Sequence, residues 1–560
     1  MRSSEPVATR SAQHAVDVLN AQLVPWVFGV PGAKIDALFD ATVHDGGPQV
    51  IVCRHEQNAA FMAAAVGRLT GTPGVVFATS GPGTSNLATG LLTANTEQDP
   101  VVAVCGAVQQ IDRLKRTHQT MDAAALLRVV TKSTAEVAHP DNVAEALANA
   151  FRTATTEPRG AAAVVLPADV AGAATTAAVL GSAHTPKLGP APAELISAAA
   201  ERIRDAERPV ILVGLRGAAT DAAAAIRALL QVTDLPVVET FQAAGVVSRD
   251  LEDHYIGRVG LFRNQPADLL IEQADLLLTI GYDPVEYDPE LWNIDANRPV
   301  IHVDTVAAAI DEHYQPVIEL LGSVAATITG LTRHLTGLQL SDSFAAAVAS
   351  SRSMLDSIDD NARTWAGVDG AVNPAALVLK LRALLGDDAT VTCDIGSVYI
   401  YMARHFRVYE PRHLLFSNGQ QTLGVALPWA MAATLVRPGT PVVSVSGDGG
   451  FLFSAQELET AQRLGLTFVH IIFRDDTYDM VGFQEELKYG RKSAVQLGDY
   501  DVAHFAAAFG AHGIAVTDET DFEAAFTEAL QADRPTIIDV RVDYSRNRDL
   551  AASLELTGIE

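Results

Sequence analysis

The strongest constraint on this chain is a repeating order of short apolar runs, tight turns and helical stretches. It is sharpest at Gly447-Asp448-Gly449-Gly450 and Arg474-Asp475-Asp476-Thr477. Each follows an apolar run that reads as a buried strand, over residues 441–446 and 467–473, and a helix over 454–464 fits between them. The result is a strand–turn–helix–strand unit with a carboxylate at the C-terminal end of each strand. In a parallel sheet those ends open on one crevice, where α/β folds bind ligands. Two carboxylates there make a site for a hard cation, and the glycines let the backbone approach a phosphate closely. These residues predict a divalent metal holding a diphosphate.

The same alternation runs through the whole chain. In the first third, strands are expected over 24–30, 49–54, 75–79, 100–106 and 161–166, with a helix over 55–69 and another from Thr84. Residues 185–192, rich in Pro and Ala, read as a linker. The middle third repeats the pattern, with strands over 209–213, 236–240, 275–280 and 299–303. Its segment Gly214-Leu215-Arg216-Gly217 lacks the full dinucleotide glycine fingerprint and reads as a plain strand–helix turn. A polar helix over 341–363 leads to the last third, with strands over 390–393, 413–416, 441–446, 467–473 and 536–542. The expectation is an α/β protein of three doubly wound parallel-sheet domains, over 1–182, 188–345 and 365–560.

Composition narrows the function. The chain is 48% hydrophobic and only 19% charged, which argues for large buried sheets and helices and against disorder. A formal charge of −27 argues against nucleic acid and anionic membrane as partners. Cys53, Cys105 and Cys393 stand far apart in apolar runs, so buried, inert thiols are expected rather than disulfides or a zinc cluster. The polar N-terminus lacks the apolar core of a signal peptide, and no uninterrupted apolar stretch can span a bilayer. A cytoplasmic location follows as an expectation.

A second constellation is Arg54-His55-Glu56, at a strand end and opening a helix. The helix dipole stabilises a carboxylate in its first turn. The residues that follow, Ala59-Ala60-Phe61-Met62-Ala63-Ala64-Ala65, are small and apolar all round, as in a helix packed on several sides. A carboxylate at the buried start of such a helix is expected to have a raised pKa or a specific partner. A bare helix-start glutamate remains the alternative reading.

Taken in order, these segments resemble the thiamine-diphosphate-dependent enzymes, and among them the catabolic acetolactate synthases. The likeness covers essentially the whole chain. In the first third it rests on Phe28-Gly29-Val30-Pro31-Gly32-Ala33-Lys34, Arg54-His55-Glu56-Gln57-Asn58, Thr79-Ser80-Gly81-Pro82-Gly83 and His118-Gln119-Thr120-Met121-Asp122. The middle third contributes Gly257-Arg258-Val259-Gly260-Leu261-Phe262 and Gly281-Tyr282-Asp283-Pro284-Val285-Glu286-Tyr287. The last third contributes Ser417-Asn418-Gly419-Gln420-Gln421-Thr422, the segment 447–452, and Met480-Val481 through Gln484-Glu485-Glu486.

The resemblance implies roles. Glu56 would hydrogen-bond the aminopyrimidine ring of thiamine diphosphate, favouring the tautomer that removes the thiazolium C2 proton; the hard chemistry belongs to the cofactor. Asp448, Asp475 and the Thr477 carbonyl would ligate Mg2+. Ile395, Gly396 and Ser397 would meet the diphosphate, beside Gly447, Gly449 and Gly450. Gln421 and Leu423 would hold the ring, and Pro31, Pro82, Asn86, Tyr478, Met480 and Val481 would complete the cofactor contacts. Lys34 would meet the carboxylate of pyruvate, or else stands as a solvated lysine at a helix start. Gln119 would donate to bound intermediates at the mouth of the site. Gln484, which replaces a tryptophan of the biosynthetic relatives, points to pyruvate as acceptor.

The implied reaction decarboxylates one pyruvate and condenses the two-carbon fragment with a second, giving 2-acetolactate and carbon dioxide. In the family the first-third domain of one subunit faces the last-third domain of another. The resemblance therefore implies a homodimer as the smallest active form, within a homotetramer. FAD, bound by the biosynthetic relatives, is not expected here, because residues 281–287 match the catabolic form. Five departures stand out. Asp475 replaces a common asparagine, Leu423 replaces a methionine, Asp476 and Asp479 replace frequent amides, and Phe453 replaces a polar residue. The alternatives are another thiamine-diphosphate decarboxylase or carboligase, a pyruvate oxidase, a non-catalytic homologue, and an NAD-dependent dehydrogenase, which the incomplete glycine fingerprint disfavours.

Overall fold

Apolar runs of four to seven residues, each closed by a turn, are too short for buried helices and build sheets instead. The computed structural model describes residues 8–43, 47–181, 185–260, 263–365, 367, 368 and 370–554. Residues 1–7 of the polar N-terminus, Leu261 and Phe262 of the 257–262 segment, and the expected domain limits at 1, 182 and 560 lie outside them.

Three six-stranded, all-parallel sheets, flanked by helices, follow one another along the chain. The first contains β1 (Trp26–Gly29), β2 (Gln49–Val52), β3 (Gly74–Ala78), β4 (Val101–Ala107), β5 (Ser133–Glu136) and β6 (Ala161–Pro167), in the order β2-β1-β3-β4-β6-β5. The second contains β7 (Pro209–Val213), β8 (Val237–Thr240), β9 (Tyr255–Val259), β10 (Leu276–Ile280), β11 (Val300–Asp304) and β12 (Ile318–Leu321). Its order, β9-β8-β7-β10-β11-β12, is that of a dinucleotide-type doubly wound sheet. The third contains β13 (Thr390–Cys393), β14 (Leu414–Leu415), β15 (Val442–Gly447), β16 (Val469–Arg474), β17 (His512–Val516) and β18 (Thr536–Arg541). Its order, β14-β13-β15-β16-β18-β17, repeats the winding of the first sheet. A short antiparallel pair, Thr9–Arg10 with Ala174–Thr175, was not expected.

The four parallel strands that the apolar pattern does not reveal, β5, β9, β12 and β17, are all sheet edges. Three of them, β5, β12 and β17, are only partly buried. The fourth, β9, is buried but interrupted by Gly257 and Arg258. Central strands such as β3, β4, β6, β7 and β10 are buried at every position, as two-sided packing requires. The expected helix over 454–464 is a 3-10 turn, Ala455–Glu457, followed by the helix Leu458–Arg463. Cys53, Cys105 and Cys393 are free and buried, and burial pushes the Cys105 thiol up to about 12. No helix among the described residues is long and apolar enough to cross a membrane.

By packing, the chain separates into two compact units. One comprises the first third to Pro186 with Leu427–Gly439 and Ser454–Thr467, and the other comprises the remainder. In the first unit, the helix Glu56–Thr70 is buried almost throughout. Gly90 lets a neighbouring helix close on Ala60, and Arg68 pairs with Asp99 at 2.8 Å while its guanidinium covers the Trp429 ring.

In the second unit, the turn after β7 is held by the chain's own charges. Arg216 pairs with Asp304 (2.7 Å) and Asp283 (3.1 Å). The buried Glu286 accepts from the Leu215 amide (2.9 Å) and the Thr240 hydroxyl (2.6 Å), and burial pushes it up to about 8. Folded protein therefore keeps a proton that the unfolded chain has already released, so stability falls as pH rises from about 5 to about 8 and levels off above. Glu286→Gln should flatten that part of the melting temperature–pH profile and raise the melting temperature above the parent at about pH 8, measured by calorimetry in parallel.

Candidate functional site

Each cluster of candidate residues grows from strand ends. In the first unit, β1 runs into Pro31–Lys34, β2 into Glu56 and β3 into Thr79–Pro82. β1 and β3 are neighbours at the point where the winding of the sheet reverses, the crevice that such sheets use for ligands. The Thr79–Gly83 turn gathers the candidates around it. The Lys34 amide donates to Thr79 Oγ1 (3.3 Å), and the Ser80 hydroxyl donates to the Gln119 carbonyl (2.8 Å). A Cβ on Gly83 would lie 3.3 Å from Glu56 Oε1. Glu56 is buried, and its Oε2 accepts from Asn86 Nδ2 at 2.9 Å, which supplies the specific partner that its position calls for. The His55 ring caps the helix by accepting from the Gln57 amide (3.1 Å). The structure thus brings together Pro31, Lys34, Glu56, Pro82, Asn86 and Gln119.

The second unit assembles the rest at the reversal point of the third sheet, between β13 and β15. Gly396, at φ +130°, takes a conformation open to glycine between Ile395 and Ser397, and the helix Ser397–His405 starts there. Asp394 organises the surroundings. It is buried, and it accepts from the amides of Ile395 (2.9 Å), Gly424 (2.9 Å) and Ala426 (3.2 Å). Burial pushes it up to about 6 against those three donors. Through it, the Ile395–Ser397 turn is tied to the loop that carries Gln421 and Leu423. Leu423 packs on the core of the third domain, and Gln421 is exposed at φ +47°.

β15 ends at Gly447 and β16 at Arg474, and the two strands are paired, which places Asp448 and Asp475 at adjacent strand ends. Asp448 is buried; its Oδ1 accepts from the Gly449 amide (2.8 Å) and its Oδ2 from the Asp476 amide (2.7 Å). Asp475 accepts from the Thr477 hydroxyl (2.6 Å). Burial pushes Asp448 up to about 6. Burial, with the neighbouring Asp479 and Asp448 carboxylates, pushes Asp475 up to about 7. Gly449 is required by close approach, since a Cβ there would lie 2.5 Å from the Tyr478 ring. Met480, Val481 and Gln484 share one face of the helix Asp479–Tyr489 by their spacing. Gln119, Gln421 and Asp476 all adopt left-handed backbone, a strain that collects in functional turns.

The donors fit the groups the sequence predicts. The buried Asp448 and the half-buried Asp475 are hard oxygen ligands of like charge at neighbouring strand ends, a donor set that suits a divalent ion. Among the described residues no group of three His, Cys, Asp or Glu side chains is placed to hold a metal ion by itself. The Gly396 turn opens a helix N-terminus, which suits a phosphate.

Sequence reading missed Asp394, although its place directly after β13 mirrors that of Asp448 after β15. It also missed the use of Asp479, which accepts from Ser397 Oγ (2.7 Å) and Asn547 Nδ2 (2.6 Å). Asp394→Ala should leave three buried amides unpaired and cost on the order of 3 kcal/mol, whereas Asp394→Asn, which keeps one acceptor oxygen, should cost about 1 kcal/mol. Urea denaturation of both variants checks this.

Comparison with known proteins agrees with the geometry. A thiamine pyrophosphate enzyme N-terminal TPP binding domain matches residues 9–126, the central domain of the same enzymes matches 196–331, and their C-terminal TPP binding domain matches 394–540. Acetolactate synthase of Bacillus subtilis (strain 168) is 53% identical over 98% of this chain and 95% of its own length. The catabolic acetolactate synthase of Raoultella terrigena is 41% identical over 99% of this chain and 100% of its own. The large subunit of acetolactate synthase isozyme 2 of Escherichia coli (strain K12) is 30% identical over 96% of each. The chain belongs to the thiamine pyrophosphate enzymes, among the acetolactate synthases.

Proposed function

We propose that this chain is an acetolactate synthase of the catabolic type, which joins two pyruvates into 2-acetolactate with release of carbon dioxide. The observation that carries the reading is the pairing of Asp448 and Asp475 at adjacent strand ends, next to the turn Ile395–Ser397. When bound, thiamine diphosphate supplies a carbanion at its thiazolium C2 and accepts the electron pair left behind by carbon dioxide.

The chain's own residues supply the rest. Glu56, fixed by Asn86, holds a proton at the aminopyrimidine ring. Asp448, Asp475 and the Thr477 carbonyl would hold Mg2+, and the amides of Gly396 and Ser397 would meet the diphosphate, since the Ile395 amide is already donated to Asp394. Because the Ser397 hydroxyl donates to Asp479, it is the backbone at that position that is left to donate. Gln421, Leu423, Pro31, Pro82, Tyr478, Met480 and Val481 shape the cofactor cleft, with Gly447, Gly449 and Gly450 leaving room for it. Lys34 orients the pyruvate carboxylate, Gln119 donates at the entrance, and Gln484 bounds the acceptor pocket. Apolar walls keep water from quenching the bound fragment.

FAD has no part in this reading. Leu215 already donates to Glu286, and Arg216 is committed to Asp304, at the turn where a dinucleotide would otherwise bind. The homodimer as smallest active form, the homotetramer and the cytoplasmic location belong to the same proposal. Exposed Leu452, Phe453 and Val481 in the second unit, and Ile111, Leu114 and Val129 in the first, are apolar surface available for assembly.

The test is to incubate purified protein with pyruvate, Mg2+ and thiamine diphosphate, without flavin, and to identify the product. Acetolactate is expected; peroxide formation dependent on added flavin would point to an oxidase instead. Glu56→Gln should lower turnover by about 100-fold or more. Chelation of Mg2+, or Asp448→Asn with Asp475→Asn, should abolish cofactor retention on gel filtration.

A further inference from the structure

One buried carboxylate of the first unit has no part in the chemistry above. Glu457 ends the 3-10 turn Ala455–Glu457 and is 0% exposed. Its Oε1 accepts from the amides of Arg54 (2.9 Å) and His55 (3.1 Å) and from Asn58 Nδ2 (3.2 Å). Its Oε2 accepts from Thr460 Oγ1 (2.7 Å). Burial raises the carboxyl and these donors lower it. Among the described residues no lysine or arginine forms an ion pair with it; Arg54 turns instead to Glu459 at 3.5 Å. A buried acid held only by hydrogen bonds is costly unless its donors need it.

Its donors are the residues that lead into Glu56. Arg54 and His55 precede it directly, and Asn58 follows two residues later, within the first turn of the helix. The same segment also grips the end of β2, where Arg463 Nη2 donates to the Val52 carbonyl. The helix segment that follows Glu457 therefore clasps the strand–helix turn from Val52 to Asn58, four hundred residues away along the chain.

We propose that Glu457 is the positioning residue for Glu56: it fixes the backbone of Arg54 and His55 and so aims the Glu56 carboxylate at the cofactor ring. This rests on the reading of Glu56 as the group that holds a proton there. Glu457 touches neither cofactor nor substrate in this role. Its requirement is reach rather than charge, because the contacts that matter are to neutral backbone N–H groups.

Two substitutions separate reach from charge. Glu457→Asp keeps the charge but withdraws the oxygens by about 1.5 Å, one carbon–carbon bond. Glu457→Gln keeps an acceptor oxygen at full reach and loses the charge. Amide hydrogen exchange of the Arg54–Asn58 turn, followed by mass spectrometry on the cofactor-free protein, should show protection lost in Glu457→Asp and kept in Glu457→Gln. In the holoenzyme, deuterium exchange at thiazolium C2, read by NMR after acid quench, should slow about 10- to 100-fold in Glu457→Asp. In Glu457→Gln it should stay within about threefold of the parent. The thiamine diphosphate Kd should be little changed in both.

Glu56→Gln is run alongside. If it exchanges C2 at the parental rate, the reading of Glu56 fails and this inference falls with it. If Glu56→Gln is slow while a folded Glu457→Asp exchanges at the parental rate, the inference alone is overturned. Equal slowing in Glu457→Asp and Glu457→Gln overturns it too, since charge or general destabilisation would then be the cause. Should Glu457→Asp fail to fold, Asn58→Ala takes its place. That change leaves Glu457 short of one donor, and parental C2 exchange in it would overturn the proposal.

Discussion

Backbone N–H groups in buried turns must find acceptors, and in this molecule carboxylates supply many of them. Asp394 gathers three amides around the Gly396 turn, Asp448 joins its own turn to the next strand end, and Glu286 closes the turn after β7. Glu239 does the same for Gly245 and Val247, and Glu457 for the approach to Glu56. Helices and strands satisfy their own interiors, but the carboxyl ends of parallel strands leave loose donors on the side where ligands bind. The acids that quiet those donors therefore decide how rigid each crevice is. They are held at raised pKa by burial, which shows that the fold tolerates an energetic strain there in return for fixed turns.

The central sheet illustrates how the same constraint can be met by the chain's own side chains. Its strand order is the one that elsewhere opens a dinucleotide crevice, yet Arg216, Asp283, Asp304 and Glu286 knit that turn from within. Asn418 then donates to the carbonyl of Glu286 (3.2 Å) and accepts from Tyr399 (2.9 Å), which links this turn to the loop bearing Gln421. The middle domain thus braces the loop of the third that carries Gln421.

Much of this was legible because burial on both faces writes a continuous apolar run into the chain. Strands β3, β7 and β16 announce themselves in that way, and Asp448 and Asp475 are marked by the runs that precede them. Edges such as β5 and β12 have one side open, so their composition is ordinary and pattern fails. Glu56 could be picked out as a helix-start acid before a small apolar helix, but its partner Asn86 lies thirty residues away and no local rule selects it. Asp394 carries the same strand-end signal as Asp448, without the glycines that draw attention to it. Glu457 sits in an unremarkable amphipathic stretch, and only the folded contacts with Arg54 and His55 give it meaning.

The first and third sheets are wound identically, although no internal repeat can be read along the chain. Winding must then be carried by the rhythm of run, turn and helix, with little demand on particular side chains. Two copies under so loose a requirement are free to drift in chemistry while keeping their architecture. One has come to bear an acid at a helix start, the other a pair of acids at strand ends, as in a workshop where twin benches hold different tools.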